Sequence, residues 1–210
     1  MLFIDTISPT DMPIMIQDFR ESMRKDLGAK TILYPMPVLI LAAYREDGRV
    51  DAMNAAWGGI ADTNQVCICL SSDHATTKSI AARKALTVSV ADAAHTVEAD
   101  YLGVCSGNDV PDKFEKSGLH AVRSENVDAP VIQEFPLTLE CRVSSIDDIS
   151  EGTVRVVADI VNVSADEGIL TDGKVDISKL DPITYDTVSH GYFRIGERVG
   201  NAFSDGKRLM

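Results

Sequence analysis

Three shortages limit what this chain can be. Cysteine is scarce: Cys67, Cys69, Cys105 and Cys141 are the only four in 210 residues. No two form a Cys-x-x-Cys pair, and no histidine stands at zinc-finger spacing from them. They read as buried structural thiols in a reducing compartment, because free cysteine packs as a small hydrophobe. A metal held by Cys67, Cys69 and His74 is the one metal reading left open. Positive charge is also in deficit, with 20 Lys and Arg against 32 Asp and Glu and a net charge of −12. Nucleic acid and anionic membrane surfaces are recognised by neutralising cations, so neither is an expected partner. A small anion in a local pocket remains compatible with that charge. Long apolar runs are missing as well. The longest, Val38 to Ala43, is far too short to cross a bilayer. The opening Met-Leu-Phe-Ile-Asp lacks the basic and apolar regions of a secretory leader, and a cytoplasmic location is expected.

Catalytic signatures are equally sparse. The chain has no Gly-x-Ser-x-Gly, His-Glu-x-x-His, Walker loop or Gly-x-Gly-x-x-Gly after a strand. Its histidines, at 74, 95, 120 and 190, are scattered. Side-chain catalysis therefore has little support, and any redox chemistry would have to come from a bound cofactor.

What is present suits a folded domain: 45% hydrophobic and 25% charged residues, enough to bury roughly 70% of the unfolded surface. Residues 1–30 read as an entry segment. Ser8 to Asp11 is loop-like, and Ile14, Phe19, Met23 and Leu27 form a helical stripe ending near Gly28, a helix expected across the outside of a barrel. Residues 31–210 read as one domain with a C-terminal tail. Pro37 to Tyr44 and Val50 to Ala55 form a hairpin about Asp47-Gly48. Further strands are expected at Gln65–Leu70, Leu86–Val90, Phe135–Ile146, Thr153–Val163 and Tyr192–Ile195. Apolar alternation in the two long ones suits half-exposed antiparallel strands. Short helices are expected at Thr76–Ala85, Thr96–Leu102 and Pro111–Lys116. The fold class is mainly β, an antiparallel Greek-key-type barrel with short helices.

Two stretches carry the functional reading. Met53-Asn-Ala-Ala-Trp-Gly-Gly59 follows a strand, and its small residues would let a flat ligand approach the backbone. Trp57 could edge a planar pocket or simply be core. Ser71-Ser-Asp-His-Ala-Thr-Thr-Lys78 bridges a strand end and a helix start, where hydroxyls, first-turn amides and a lysine suit a phosphate. Ser72 or Asp73 could instead be an ordinary helix cap.

In this order the two stretches resemble the flavin reductase-like, FMN-binding split-barrel family, on the flavoredoxin side of it. Ser106-Gly-Asn-Asp-Val-Pro-Asp-Lys-Phe114, Ala129 to Cys141 and Gly191 to Gly200 are similar to later segments of that family. The resemblance implies an FMN-binding split barrel and an oxidoreductase that transfers electrons between NAD(P)H, or a redox protein partner, and bound flavin. It also implies a homodimer. By the same resemblance Asn54, Ala55, Ala56 and Trp57 face the flavin ring and ribityl chain. Ser71, Ser72, His74, Thr76, Thr77 and Lys78 surround the phosphate, with Thr76 as hydroxyl donor. Lys113 and Phe114 belong to a loop closing near the flavin. The chain departs from the family at Ala56, where a serine is usual, at His74, where an arginine is usual, and at Thr63-Asn64-Gln65, where a proline pair is usual. Those departures motivate the alternative of a non-catalytic ligand-binding or sensory barrel.

Overall fold

The computed structural model describes residues 24–210. The loop and most of the helix expected near the N-terminus lie outside these residues, and Arg24 to Gly28 are not helical. The chain divides into Met1–Ile32 and Leu33–Met210, and the elements below belong to the second unit.

A short strand β1 (Met36–Pro37) leads into the hairpin β2 (Leu39–Tyr44) and β3 (Val50–Ala55). The hairpin turns through Gly48 at φ +85°, a backbone region that favours glycine. Then follow β4 (Gly58–Asp62), β5 (Gln65–Ser71), helix α1 (Ala75–Arg83) and β6 (Ala85–Val90). Helices α2 (Thr96–Val104) and α3 (Lys113–Lys116) precede a small hairpin of β7 (Ala121–Arg123) and β8 (Pro130–Ile132). The long strands β9 (Leu137–Ser150) and β10 (Thr153–Ala165) come next. They are followed by β11 (Leu170–Thr171), β12 (Lys174–Val175), helix α4 (Ile177–Leu180), β13 (Ile183–Asp186) and β14 (Gly191–Arg194).

Seven strands form one antiparallel sheet in the order β3-β2-β6-β9-β10-β5-β4, and β1-β13-β14 form a smaller one. The large sheet rolls up, because Leu41, Met53, Ile68, Leu86, Cys141 and Val156, from six of its strands, meet in one buried cluster. Its two edge strands, β3 and β4, are successive stretches of chain separated only by Ala56 and Trp57. The split in the barrel is therefore bridged by the chain itself rather than by a ladder of hydrogen bonds.

Outward-facing residues of the hairpin are buried too. Ile40, Ala42 and Ala52 pack with Ala99 and Leu102 of α2 and Phe114 of α3 in a second cluster. Burial on both faces explains the unbroken apolar run of β2.

Several expectations change in the structure. β9 continues through Asp147 and Asp148 to Ser150, so the turn to β10 is confined to Glu151-Gly152. The polar face of β9 is not solvated near its start. Thr138 Oγ1 meets Ser89 Oγ at 2.8 Å, and the buried Glu140 accepts hydrogen bonds from Ser124, Asn126 and Asn162. Cys141 is buried, and desolvation pushes its thiol up to about 12. Cys67 and Cys69 are only half-buried, because they alternate with the inward Val66, Ile68 and Leu70 of β5.

Gly58 sits where the bridge between the sheet edges is tightest. A Cβ there would lie 3.0 Å from Leu39 Cδ1, 3.1 Å from Ile68 Cγ1 and 3.3 Å from the Cys67 carbonyl oxygen. Gly58→Ala is therefore expected to destabilise the protein by about 1–3 kcal/mol through overpacking. Gly59→Ala, with nothing within 4 Å of its Cβ position, is the control. Urea midpoints of the two variants check this, and equal midpoints would refute the close approach.

Candidate functional site

Asp51 lies in β3 with no exposed surface. A buried carboxylate needs partners, and three elements, the β2–β3 turn, α1 and α3, supply them. Its Oδ2 accepts the Thr76 hydroxyl of α1 at 3.1 Å. Its Oδ1 faces Arg45 Nη2 at 3.4 Å and Lys113 Nζ at 3.9 Å. Arg45 also donates to the Gly107 carbonyl at 2.7 Å. Lys113 donates to the carbonyls of Leu102 at 3.4 Å and Cys105 at 3.1 Å, the end of α2, where carbonyls lack helical partners and a cation is favoured. Desolvation holds Lys113 below its ordinary pKa, against the pull of Asp51. A Cβ at Gly107 would stand 2.7 Å from Arg45 Nη2 and 2.9 Å from Asp51 Oδ1, so only glycine lets this loop close over the cluster.

Two cavities adjoin here. One, of about 150 Å³, is bounded by His74, Ala75 and Thr76 at the start of α1, by Gly103 to Gly107, and by Lys113. The other, of about 350 Å³, is bounded by Ala56, Trp57, Asp100, Tyr185, His190 and Tyr192. Asn54, Gly103 and Val104 border both. A Cβ at Gly103 would come within 3.2 Å of Asn54 Cβ, so the bare backbone sets how closely α2 approaches β3.

The smaller cavity suits an anion. His74, the N-cap of α1, is extended and makes no side-chain cap bond. The first-turn N–H groups have no intrahelical acceptor and carry the positive end of the helix dipole. The larger cavity has flat walls and fixed polar groups. Asn54 Nδ2 donates to the Ala99 carbonyl at 3.1 Å and to Tyr192 Oη at 3.4 Å, and Tyr192 Oη donates to Asp100 Oδ1 at 2.9 Å. Burial, reinforced by the bond to Asp100, pushes Tyr192 up to about 12, so its hydroxyl keeps its proton. Tyr185 Oη and His190 Nδ1 share a 2.8 Å hydrogen bond, and the Tyr185 and Tyr192 rings lie 5.9 Å apart.

Of the residues singled out in the sequence, Asn54, Ala56, Trp57, His74, Thr76 and Lys113 border these cavities. Asn54 and Ala55 belong to β3 rather than to a turn, and Ala55 faces the barrel interior. Trp57 is 51% exposed, so it is not core. The Thr76 hydroxyl is committed to Asp51, and what remains for a ligand is the Thr76 backbone N–H. Ser71 ends β5, where its Oγ accepts from the Asp73 N–H at 3.4 Å, and the Ser72 N–H donates to the Gly152 carbonyl at 3.0 Å. Neither Ser72 nor Asp73 caps α1. Thr77 is buried, and its hydroxyl has no hydrogen-bond partner among the described residues. Lys78 is exposed in a separate groove with Arg45 and Asn108, and Phe114 is in the second core cluster. Among the described residues no three His, Cys, Asp or Glu side chains are grouped to hold a metal ion, and Cys67, Cys69 and His74 do not form such a group.

Asp51, Arg45, Gly107, Tyr185, His190 and Tyr192 were missed by sequence reasoning. Asp51 left a signal as the single acid in a largely buried strand, and Gly107 and Tyr192 lie in the Ser106–Phe114 and Gly191–Gly200 segments that resemble the family.

Comparison with known proteins identifies the family. Residues 31–187 match the family described as flavin reductase like domain. The chain is similar to the flavoredoxin of Desulfovibrio vulgaris (Miyazaki F), at 37% identity and TM-score 0.83, covering 88% of this chain and 100% of that one. It is also similar to flavoredoxin from Methanosarcina acetivorans, at 27% identity and TM-score 0.81, covering 89% and 100%. An FMN-binding domain of a flavin reductases-like enzyme from Shewanella baltica shares the fold at 18% identity and TM-score 0.68, covering 79% and 88%. No curated protein matches the chain.

Removing the central carboxylate tests the cluster. Asp51→Ala leaves buried cations without a counter-charge and is expected to cost about 3–5 kcal/mol. Adding Lys113→Met should recover part of that loss in urea unfolding, and no recovery would place the Lys113 charge in water. Lys113 also has a pH signature. Between its lowered native pKa and the ordinary 10.5, the unfolded chain binds the extra proton, so its contribution to stability rises with pH. The single variant Lys113→Met should flatten that rise.

Proposed function

The chain belongs to the flavin reductase-like family, and from that membership we propose that it is an FMN-binding oxidoreductase passing electrons between bound flavin and a donor, either NAD(P)H or a redox protein. The observation that carries this reading is the pairing of the two cavities: one with flat aromatic and small-residue walls, the other at an uncapped helix start beside a buried lysine. A cofactor with a planar ring at one end and a phosphate at the other matches that pairing. The ring would lie beside Asn54, Ala56, Trp57 and Tyr192, and the phosphate beside His74, the first-turn N–H groups of α1 and Lys113.

FMN would supply the electron-accepting chemistry. The chain's own residues bind and orient. Arg45 and Lys113, two cations against the one carboxylate of Asp51, leave a local positive surplus in a protein of charge −12, which favours an anion at this end. Gly103 and Ala56 keep the walls low, and the hydrogen bonds of Asn54 fix its amide. Trp57 and His190, both exposed, stand at the open rim, the side from which a donor would approach. A cytoplasmic homodimer is part of the same proposal. The dimer is supported by Trp57, just before the edge strand β4, and Ile60 within it, which are 51% and 71% exposed, an apolar edge of the kind that proteins cover.

Two measurements test the reading. Anaerobic titration of the flavin-loaded protein with NADH, NADPH and a reduced ferredoxin-type donor should bleach the flavin absorption with at least one of them. Flavin that binds but is reduced by none would favour the non-catalytic barrel. For the phosphate, Ala75→Pro removes a first-turn N–H at the one helical position where proline fits, after an extended His74. Hydrogen bonds to charged groups contribute about 1.5–3 kcal/mol, so FMN affinity should fall about ten- to a hundredfold. Riboflavin, which lacks the phosphate, should bind the variant as it binds the wild type. Equal losses for both ligands would place the phosphate elsewhere.

A further inference from the structure

A further cleft, of about 420 Å³, opens at the opposite end of α1. It is separated from the first turn by the helix length, roughly 13 Å for nine residues at 1.5 Å each. Arg83, Lys84, Arg123 and Arg142 line it, against the two acids Glu125 and Asp128, a positive surplus on a chain of charge −12.

Two of the four cations share one carboxylate. Arg83 Nη1 lies 3.4 Å from Asp128 Oδ2, and Arg123 Nη2 lies 3.0 Å from Asp128 Oδ1. Arg83 is further fixed by the carbonyls of Tyr44 at 3.3 Å and Arg45 at 2.5 Å. The other two, Lys84 and Arg142, are exposed and have no side-chain hydrogen bond or ion pair among the described residues.

The wall opposite is preorganised. Ser124, itself buried, accepts the N–H groups of Asn126 and Val127 at 3.0 Å each and donates to the buried Glu140. Asn126 Nδ2 reaches the same carboxylate at 3.0 Å. The loop that presents Arg123 and Asp128 is thus anchored from beneath by a fully bonded network, a rigidity that an ordinary solvated loop does not need.

We propose that this cleft binds a compact polyanion, a ligand carrying a di- or triphosphate or several carboxylates, independently of the flavin site. Guanidinium forks match such groups two bonds at a time. The C-terminal end of α1 opposes an anion, and the four cations outweigh it. Asp128 is the internal competitor, occupying two arginines that the ligand would use.

Calorimetric titration of the full chain with inorganic tripolyphosphate and, separately, with citrate tests this, and the probe that binds identifies the kind of anion. One-to-one, saturable binding is expected with at least one probe. Lys84→Asn with Arg142→Gln should weaken it about tenfold or more; asparagine suits the left-handed backbone of position 84, at φ +54°. Asp128→Asn should tighten binding by freeing both arginines. No saturable binding by either probe would overturn the proposal. So would equal affinity in the wild type and the charge-loss variant, or unchanged or weaker binding in Asp128→Asn. Loss of binding in Ala75→Pro would also overturn it, by moving the anion to the other end of α1.

Discussion

The carboxylate of Asp51 lies inside a rolled sheet with no exposed surface, so its charge has to be met within the protein. Meeting it draws together the β2–β3 hairpin through Arg45, α1 through Thr76, the loop after α2 through Gly107, and α3 through Lys113. The hairpin, α1 and the Gly107–Lys113 segment are separate stretches of sequence, and their polar groups converge on this one point. A buried charge with poor geometry would destabilise the fold. Here the same lysine also serves the carbonyl end of α2, so one cation answers two electrostatic demands. The start of α1 and the end of α2 are held on either side of this cluster, and the smaller cavity lies between them.

The second constraint is steric. The barrel is bridged where β3 runs into β4 past Ala56 and Trp57, and Gly58 passes there between Leu39 and Ile68 with no room for a side chain. That crowding leaves the tryptophan outside, at the rim of the larger cavity. Closure of the barrel and exposure of the aromatic edge thus have one cause. The β13–β14 hairpin then supplies the facing wall, and Tyr192 ties it to Asn54 and Asp100. The two cavities lie at the edge of the barrel, and of the interior cluster only Met53 borders one of them.

Much of the scaffold was legible in the sequence because periodicity reports burial directly. The β2–β3 hairpin, β5, α1, β6 and the long pair β9–β10 all carry alternation or turn chemistry that local rules read. β4 was not legible: Gly58-Gly59 looks like a turn, and only the neighbouring Leu39 and Ile68 explain glycine inside a strand. The half-buried Cys67 and Cys69 were read as buried because nothing local distinguishes the two faces of an apolar strand. For the site, the Asn54–Trp57 and His74–Thr76 stretches were found through small residues and helix-start chemistry. The use of the Thr76 hydroxyl was not, since its partner is 25 residues away in another element. Tyr185, His190 and Tyr192 come from the far end of the chain, and only the folded arrangement brings them to Asn54 and Trp57.

The central claim is that these adjoining cavities hold FMN with its ring against the barrel edge. Trp57 is the only tryptophan in the chain, and it borders the larger cavity, so its fluorescence reports on that place alone. Titrating flavin-free protein with FMN should quench the tryptophan emission to a plateau at one FMN per chain, with the bound flavin's visible absorption appearing in step. FMN uptake without quenching would put the ring away from Trp57, and no uptake at all would contradict the account.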